Sequence, residues 1–184
     1  MKVYTTKLPG VVIIEPVVHQ DPRGFFSETY HARRYADHGI TAAFVQDNHS
    51  RSIQGTLRGL HLQLRQPQGK LIRVIQGSIF DVAVDIQVGS PSFGQWVGVE
   101  LSGENFKQMY VPHGFAHGFC VLSEMADVSY KCTDYYLPGD EIGVAWDDPA
   151  IGIQWPTTSP ILSNKDKDAL CLKDLLSLLP KHKG

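Results

Sequence analysis

A histidine that could transfer protons lies beside an arginine and a glycine in an apolar, strand-like segment. The order is Arg58, Gly59, Leu60, His61, Leu62. Alternation places His61 on the face opposite the two leucines. The same count puts Arg58 on the leucine face, so Arg58 and His61 share one site only if the chain kinks or bulges at Gly59. A lone histidine in a strand is also compatible with a structural role, and the sequence leaves both roles open.

The charge around this histidine favours an anionic ligand. Residues 48–80 contain no Asp or Glu and five cationic side chains: Arg51, Arg58, Arg65, Lys70 and Arg73. The whole chain has a net charge of −2, so this segment contributes +5 and the rest of the chain −7. A guanidinium beside a glycine, as at Arg58, suits close and forked recognition of a phosphate. For each of the five residues the alternative is a solvated face that pairs with acidic residues elsewhere.

A second cluster, from Pro112 to His117, has the pattern PxGxxH, which is similar to the second half of the cupin signature. In metal-binding cupins the first half supplies an HxH pair followed by a glutamate. The corresponding residues 61–63 read His-Leu-Gln, and Lys70 follows. Because lysine and arginine repel a cation, the sequence predicts a metal-free site for an anion.

Two tyrosines, Tyr130 and Tyr136, share one face of a segment that is predicted to be a strand. One could donate a proton, and the other could stack on a planar ring. Two tyrosines that pack a sandwich with their hydroxyl groups at its rim are the alternative. Cys132 lies on the same face, and we interpret it as a small packed residue.

Short apolar runs separated by Gly, Pro, Asp and Asn predict the elements that position these side chains. The runs recur about every 8 to 12 residues, which is typical of an antiparallel sandwich or barrel. We therefore predict a mainly β fold in one domain over residues 1–184. The predicted strands cover residues 57–65, 70–75, 79–88, 96–101, 108–111, 115–122, 126–136 and 142–146.

The strand predicted at residues 79–88 has two unlike faces. Phe80, Val82, Val84 and Ile86 form one face, whereas Asp81, Ala83 and Asp85 form the other. This alternation predicts that the first face lies in the core and that the second is polar.

Two helices are predicted. The first covers residues 31–38 and stops at Gly39, and the second runs from about Ser163 to Leu179, with Ser163 as its N-cap and leucines at helical spacing. We expect the second helix to lie against the sheet. The last four residues, 181–184, are predicted to be frayed.

Composition excludes several classes of protein. The near-neutral net charge argues against a nucleic-acid-binding domain, which would be strongly basic. Three cysteines at wide spacing argue against a disulfide framework and indicate a reducing compartment. No apolar run approaches the roughly 20 residues that a membrane span requires. We expect a soluble, cytoplasmic protein.

Eight ordered blocks of the sequence carry a resemblance that runs over essentially the whole chain. The blocks are residues 21–28, 44–50, 57–61, 68–71, 80–85, 112–119, 130–136 and 162–166. Together they resemble the dTDP-4-dehydrorhamnose 3,5-epimerases, the cupin enzymes of the dTDP-rhamnose pathway. The resemblance implies a cupin-type antiparallel jelly roll with a few short helices, including a C-terminal one.

The resemblance also implies an isomerase that needs no metal and no redox cofactor. Its substrate would be a dTDP-sugar with a ketone at C4, so that the hydrogens on C3 and C5 both lie alpha to the carbonyl. By resemblance, His61 is the base and Asp166 orients its ring and stabilises the imidazolium. Lys70 would stabilise the enolate oxygen, and Tyr130 would return a proton from the opposite face.

Binding residues carry over in the same way. Arg23 and Arg58 are expected to contact the phosphates and the sugar, and Glu28, Gln46 and Asn48 the nucleotide. His117 is expected near the sugar or phosphate, and Tyr136 is expected to stack on thymine. Glu141 and Lys165 are further binding residues that the resemblance implies less directly. The resemblance further implies a homodimer in which an N-terminal segment, with Arg23 and Glu28, reaches the neighbouring subunit's site. His113 and Cys132 depart from the residues usual at these positions, which affects local packing.

Four alternatives remain at this point. A 3-epimerase acting at one centre, or a ketoisomerase on a related dTDP-4-keto sugar, would share much of the pattern. A non-catalytic sugar-nucleotide-binding cupin would need neither a base nor an acid. A metal-dependent cupin would hold one ion per chain.

Overall fold

Thirteen short strands and three short helices make up the described part of the chain. The computed structural model describes residues 1–182. The strands are β1 (Lys2–Thr5), β2 (Val12–Glu15), β3 (Val18–Asp21), β4 (Gly24–Ser27), β5 (Gln46–Ile53), β6 (Leu57–Gln63), β7 (Lys70–Gln76), β8 (Ser78–Asp85), β9 (Trp96–Ser102), β10 (Gln108–Val111), β11 (Phe115–Val121), β12 (Met125–Cys132) and β13 (Glu141–Gly143). The helices are α1 (Ala32–Ala36), α2 (Asn164–Lys167) and α3 (Leu172–Leu175).

The strands form two large antiparallel sheets and one detached hairpin. A six-stranded sheet has the order β1-β2-β10-β7-β12-β5, and a five-stranded sheet has the order β13-β6-β11-β8-β9. The remaining strands, β3 and β4, pair only with each other. All eight strands that the sequence predicts are present. However, β12 ends at Cys132 rather than at residue 136, and β13 covers three residues.

The main core lies between the two large sheets. Ile72 and Val74 of β7 and Met109 of β10 pack against Ala83 of β8 and Phe119 of β11. The outer face of the five-stranded sheet is covered by the C-terminal segment through three buried leucines: Leu172, Leu175 and Leu179. The mainly β sandwich predicted from the turn spacing is therefore confirmed.

The prediction of a polar face on the strand at residues 79–88 is wrong. Both faces of β8 are buried, and the side chains of Asp81 and Asp85 are as inaccessible as those of Val82 and Val84. The reason is that β8 is an inner strand, paired with β11 on one side and β9 on the other, with a core on each face. Its carboxylates therefore point between the sheets rather than to solvent.

The bulge required at Gly59 is present. In the pairing of β6 with β11, His61 lies opposite His117, whereas Arg58 lies opposite Phe119. Between these two pairs, two residues of β6, Gly59 and Leu60, lie opposite one residue of β11, Gly118, so one extra residue is accommodated. Gly59 has φ of +108°, and a Cβ there would lie 2.6 Å from Gly118 Cα, a separation that leaves no room for a side chain.

The predicted long C-terminal helix is two short helices. Ser163 caps α2 as expected, but α2 ends at Lys167 and α3 starts only at Leu172. Between them the chain is extended, because Leu170 pairs with Val144 and accepts a hydrogen bond from the Ala145 backbone. Tertiary pairing thus overrides the leucine periodicity.

Both ends of the chain show further differences from the prediction. The first helix, α1, ends at Ala36 rather than at residue 38. Lys181 forms a β-bridge with Val88, and the His182 backbone N–H donates to the Val88 carbonyl oxygen, so the prediction that these two residues are frayed is wrong. Residues 183–184, which were also predicted to be frayed, lie outside the described residues. Within residues 1–182, no helix is long and apolar enough to span a membrane.

Candidate active site

A cavity of about 420 Å³ opens between the two large sheets. Strands from both sheets contribute to its wall, together with the turn that leads into α2. Its lining residues are Ser50, Thr56, Leu57, Arg58, His61, Lys70, His117, Phe119, Tyr130, Glu141, Ile161, Leu162, Ser163 and Asp166. All four residues that the sequence predicts as catalytic are in this set.

His61 and Asp166 form a hydrogen-bonded pair in the cavity wall. Nε2 of His61 lies 2.5 Å from Oδ1 of Asp166, although the two residues are 105 positions apart in sequence. The Asp166 side chain is buried, whereas the imidazole keeps about a fifth of its surface exposed toward the cavity. A buried carboxylate behind a partly exposed imidazole fixes the ring and stabilises positive charge on it.

The position of Asp166 follows from the capping of α2. Ser163 accepts a hydrogen bond from the Asp166 backbone N–H at 3.1 Å, and its hydroxyl donates to Asp166 Oδ2 at 2.8 Å. Burial alone would raise the pKa of Asp166, but hydrogen bonds from His61 and Ser163 outweigh burial and hold the pKa below its usual value. The Asp166 carboxyl group is therefore ionised at neutral pH in its hydrogen-bonded pair with His61.

Lys70 enters the cavity from the first residue of β7. Desolvation lowers the pKa of its ammonium group, while the negative charges of Glu141 and Asp81 oppose that shift. A desolvated ammonium in a cavity wall stabilises a developing negative charge more strongly than one in water. Lys70 can thus act on an anionic oxygen of a bound ligand.

Tyr130 reaches the cavity from β12 of the six-stranded sheet, whereas His61 lies on β6 of the five-stranded sheet. Burial raises the pKa of the Tyr130 phenol, and the negative charge of Glu141 adds to this effect. The phenol is therefore protonated at neutral pH and can donate a proton. A ligand between the sheets would meet a base and an acid from different sides.

The basic segment divides into structural and cavity-lining residues. Arg51 pairs with Asp127 and Arg65 pairs with Asp140. For these two arginines the alternative stated above, an exposed side chain paired with an acidic residue elsewhere in the chain, is therefore correct. Arg58 instead lines the cavity, with its Nε bonded to Ser52 Oγ at 3.0 Å. In the part of the chain that the structure describes, this is the one side-chain hydrogen bond of Arg58. Its terminal nitrogens are therefore available to an anion.

Two further predicted binding residues lie at the cavity. His117 lines it from β11, and its Nε2 lies 2.7 Å from Oδ1 of the fully buried Asp81. Glu141 lines it from β13 and accepts a hydrogen bond from Lys165, which is half-exposed. The structure thus places Lys165 next to a lining residue rather than in the cavity wall.

Gln46, Asn48 and Tyr136 are brought together beside the cavity. Gln46 Oε1 accepts from the Tyr136 backbone N–H at 2.8 Å, and its amide donates to Asn48 Oδ1 at 3.1 Å. Asn48 in turn donates to Cys132 Sγ at 3.4 Å, and Cys132 is completely buried, as its packed role predicted. Tyr136 lies beyond the end of β12, so strand alternation does not set its direction, and its ring is half-exposed.

Arg23 and Glu28 are not brought to the cavity of their own chain. Arg23 lies at the tip of the detached β3–β4 hairpin, with a side chain that is 90% exposed and paired with Asp21. Glu28 follows that hairpin and pairs with Arg34. Phe25 and Phe26 of the same hairpin are also exposed.

The side chains that could coordinate a metal ion are those of His, Cys, Asp and Glu. Within residues 1–182 no group of three or more His, Cys, Asp or Glu side chains is arranged to hold a metal ion. Gln63, which stands where metal-binding cupins have a second histidine, is buried and bonds to the backbone of Gln66, Tyr135 and Leu137.

Sequence reasoning missed several lining residues and one buried partner. Ser50, Thr56, Ile161 and Leu162 carry no chemical pattern of their own, and only the fold brings them to the cavity. Alternation alone predicts a polar face for Asp81, although the apolar residues on both sides of it are also typical of an inner strand.

The chain is similar in sequence to known proteins over most of its length. The sequence profile described as dTDP-4-dehydrorhamnose 3,5-epimerase matches residues 5–174. The chain belongs to this family. A dTDP-4-dehydrorhamnose 3,5-epimerase from Pseudomonas aeruginosa is 52% identical over 176 residues, which are 95% of this chain and 97% of that relative.

Solved structures agree with this family assignment. The crystal structure of dTDP-6-deoxy-D-glucose-3,5-epimerase from Legionella pneumophila, in complex with dTDP-4-keto-L-rhamnose, superposes with a TM-score of 0.97. It is 53% identical, and the match covers 100% of this chain and 99% of that one. The predicted fold class, a cupin-type jelly roll, is therefore confirmed. A more distant relative is a dTDP-4-dehydrorhamnose 3-epimerase from Streptomyces niveus, 38% identical over 186 residues, with 99% of this chain and 90% of that relative covered.

Proposed function

We propose that the protein inverts both C3 and C5 of dTDP-4-dehydro-6-deoxy-D-glucose and yields dTDP-4-dehydro-L-rhamnose. The observation that carries this proposal is the meeting of four groups in one cavity: the His61–Asp166 pair, the ammonium of Lys70 and the phenol of Tyr130. An α-carbon next to a ketone is inverted by removing its proton from one face and returning a proton to the other. The cavity contains a group suited to each step.

His61 acts as the base. Its ring is partly exposed to the cavity through one edge, while Asp166 holds the opposite nitrogen at 2.5 Å and compensates the charge that develops when the ring takes a proton. A positioned general base contributes about 10² to 10⁴ in rate.

Lys70 stabilises the oxygen of the enolate that forms when the proton leaves. The ketone at C4 is shared by both reacting carbons, so one cation can serve both inversions. A single oxyanion donor contributes about 10² to 10³ in rate. The partial desolvation that lowers the pKa of Lys70 also strengthens this interaction.

Tyr130 returns a proton from the other side of the sugar. It reaches the cavity from the six-stranded sheet, and His61 reaches it from the five-stranded sheet. The raised pKa of the phenol keeps its proton in place until a carbanion is available. This arrangement supports inversion rather than exchange with retention.

The nucleotide half of the substrate is proposed to extend from Arg58 along the inner face of β5. Arg58 and Ser52 lie at one end of this face, where a diphosphate would bind. Gln46 and Asn48 lie at the other end beside the half-exposed ring of Tyr136, which suits a thymine.

A homodimer with exchange of the N-terminal hairpin is also part of the proposal. The β3–β4 hairpin pairs with neither large sheet and exposes Phe25 at 62% and Phe26 at 71%. Arg23 and Glu28 flank these rings, and neither lines the cavity of its own chain. A second copy would cover the apolar residues and receive both charged side chains.

The test is to identify the product. The purified protein is incubated with dTDP-4-dehydro-6-deoxy-D-glucose, and the configuration at C3 and C5 is assigned by NMR from the ring-proton coupling constants together with nuclear Overhauser effects. Inversion at both carbons is expected. Inversion at C3 alone would show a 3-epimerase, as the relative from Streptomyces niveus is named, and an unchanged sugar would show a binding protein.

A further inference from the structure

A buried carboxylate below the cavity is not used by the reaction proposed above. Asp81 is 0% exposed, and its Oδ2 atom has no hydrogen-bond partner among the described residues. A buried carboxylate destabilises the folded state unless neighbouring groups compensate its charge. The one side-chain contact that Asp81 makes among the described residues indicates its role.

The contact that Asp81 makes is with a residue of the cavity wall. Its Oδ1 lies 2.7 Å from Nε2 of His117, and both side chains are buried. Because a carboxylate only accepts, Nε2 must carry the proton. No hydrogen bond within residues 1–182 reaches the other ring nitrogen, Nδ1, and His117 lines the cavity. The ring is thus held by one edge and presents the other edge to a ligand.

The His117–Asp81 pair lies beside the His61–Asp166 pair. His117 lies opposite His61 in the pairing of β11 with β6, so two histidines with separate carboxylates stand side by side. Asp81 stabilises a positive charge on His117, in the same way that Asp166 does for His61. In the proposed complex an anionic group of the ligand adds to the stabilisation by Asp81, so that Nδ1 carries a proton as well and donates to that group, next to Arg58 and Lys70.

We propose that Asp81 is a positioning residue for substrate binding: it fixes the His117 ring so that Nδ1 donates a hydrogen bond to an anionic oxygen of the dTDP-sugar. This inference rests on the proposed function for the identity of the ligand. It concerns binding, whereas His61, Lys70 and Tyr130 carry the chemistry.

Asp85 provides a matched control on the same face of the same strand. It is 1% exposed, and its carboxylate bonds to the hydroxyl groups of Ser90 and Ser92 away from the cavity. Replacing Asp85 therefore removes an equally buried carboxylate without touching His117.

The first experiment compares Asp81→Ala, Asp81→Asn and Asp85→Ala with the wild type by calorimetric titration with dTDP-D-glucose. Asp81→Ala is expected to bind about ten- to a hundredfold more weakly, the loss typical of a hydrogen bond to a charged group. Asp81→Asn keeps an acceptor for Nε2–H and should recover part of the affinity. Asp85→Ala should bind as the wild type does. Equal affinity in Asp81→Ala and the wild type would overturn the proposal.

The second experiment uses the wild-type protein, in case Asp81→Ala does not fold. Nitrogen-15 NMR of the histidine rings is expected to show His117 protonated at Nε2, and its Nδ1 signal should shift when dTDP-D-glucose is added. A ring with Nε2 unprotonated, or an Nδ1 signal that the ligand leaves unchanged, would contradict the inference. The ring state in the free protein is measured without ligand, so it tests the role of Asp81 even if the proposed reaction fails.

Discussion

The imidazole of His61 differs from that of His49 in the cavity it faces rather than in having a carboxylate partner. His49 also pairs with a buried aspartate, Asp127, at 3.0 Å, but on the outer side of the six-stranded sheet. A histidine–aspartate pair therefore has a structural role at His49 and, in the proposed reaction, a role in proton transfer at His61.

This contrast provides a prediction at the scale of one residue. His61→Asn should retain dTDP binding and lower the rate of substrate proton exchange by about 10² to 10⁴, because the base is lost while the cavity keeps its shape. The rate is measured by NMR in deuterated water, and binding is measured by calorimetry. His49→Asn is the control and should keep the wild-type rate. A His61→Asn variant with a near wild-type rate would show that another group is the base.

Lys70 connects catalysis with stability. Its folded-state pKa is lowered from 10.5, so the folded protein binds this proton less tightly than the unfolded chain does. The resulting cost to stability is fully present below the folded-state pKa and disappears as the pH rises through 10.5.

Lys70→Met should therefore raise the free energy of unfolding at pH 7 while it lowers the rate by about 10² to 10³. The gain in stability should shrink as the pH rises toward 10.5, which urea denaturation at several pH values can follow. Lys107→Met, at a partly exposed lysine paired with Glu15, controls for the loss of a lysine in general. A stability gain that is independent of pH would contradict this account of Lys70.

At the residue scale, types and spacing singled out His61 and the cations around it, whereas Asp166 and the roles of Lys70 and Tyr130 came from the family resemblance. Sequence reasoning could not decide which arginines are paired. Arg51 and Arg65 differ from Arg58 only in having Asp127 and Asp140 nearby, and those partners come from segments more than 70 residues away.

Among the elements, the bulge in β6 determines whether Arg58 and His61 can face one cavity. Gly59 permits the bulge because β11 passes so close that a Cβ would lie 2.6 Å from both Gly118 Cα and the His117 carbonyl oxygen. The need for this irregularity could be predicted from alternation, since Arg58 and His61 otherwise lie on opposite faces.

Gly59→Ala is therefore expected to be far more damaging than an ordinary glycine replacement. Gly55→Ala is the matched control: Gly55 also has a positive φ, +77°, but a Cβ there meets nothing within 4 Å. Gly55→Ala should cost about 1–3 kcal/mol from backbone strain alone. Gly59→Ala should cost more, because β6 and β11 must separate, and it should also lower activity. Similar losses of stability in the two variants, measured by chemical denaturation, would contradict this account of the bulge.

Other elements could not be predicted from hydropathy. The inner face of β5 carries Gln46, Asn48, Ser50 and Ser52, all polar, so β5 lacks the apolar alternation of a half-buried strand. The interruption between α2 and α3 depends on pairing with Val144, a contact that the local leucine spacing cannot show.

At the scale of the whole molecule, the account predicts that a complete site needs two chains. In a hybrid of Arg23→Ala and His61→Asn subunits, one of the two sites combines an intact His61 with an intact Arg23 from the other chain. Mixing the two weakly active variants after partial unfolding and refolding should therefore restore activity, up to about a quarter of the wild-type value. Mixing two preparations of either single variant is the control. No recovery in the hybrid would show that Arg23 acts within its own chain or not at all.

The most direct test of the central claim is the incorporation of solvent deuterium into dTDP-4-dehydro-6-deoxy-D-glucose by the wild-type protein, followed by NMR. The account predicts deuterium at both C3 and C5, since one enolate chemistry at the His61, Lys70 and Tyr130 cavity serves both carbons. Deuterium at neither carbon, or at C3 alone, would contradict it.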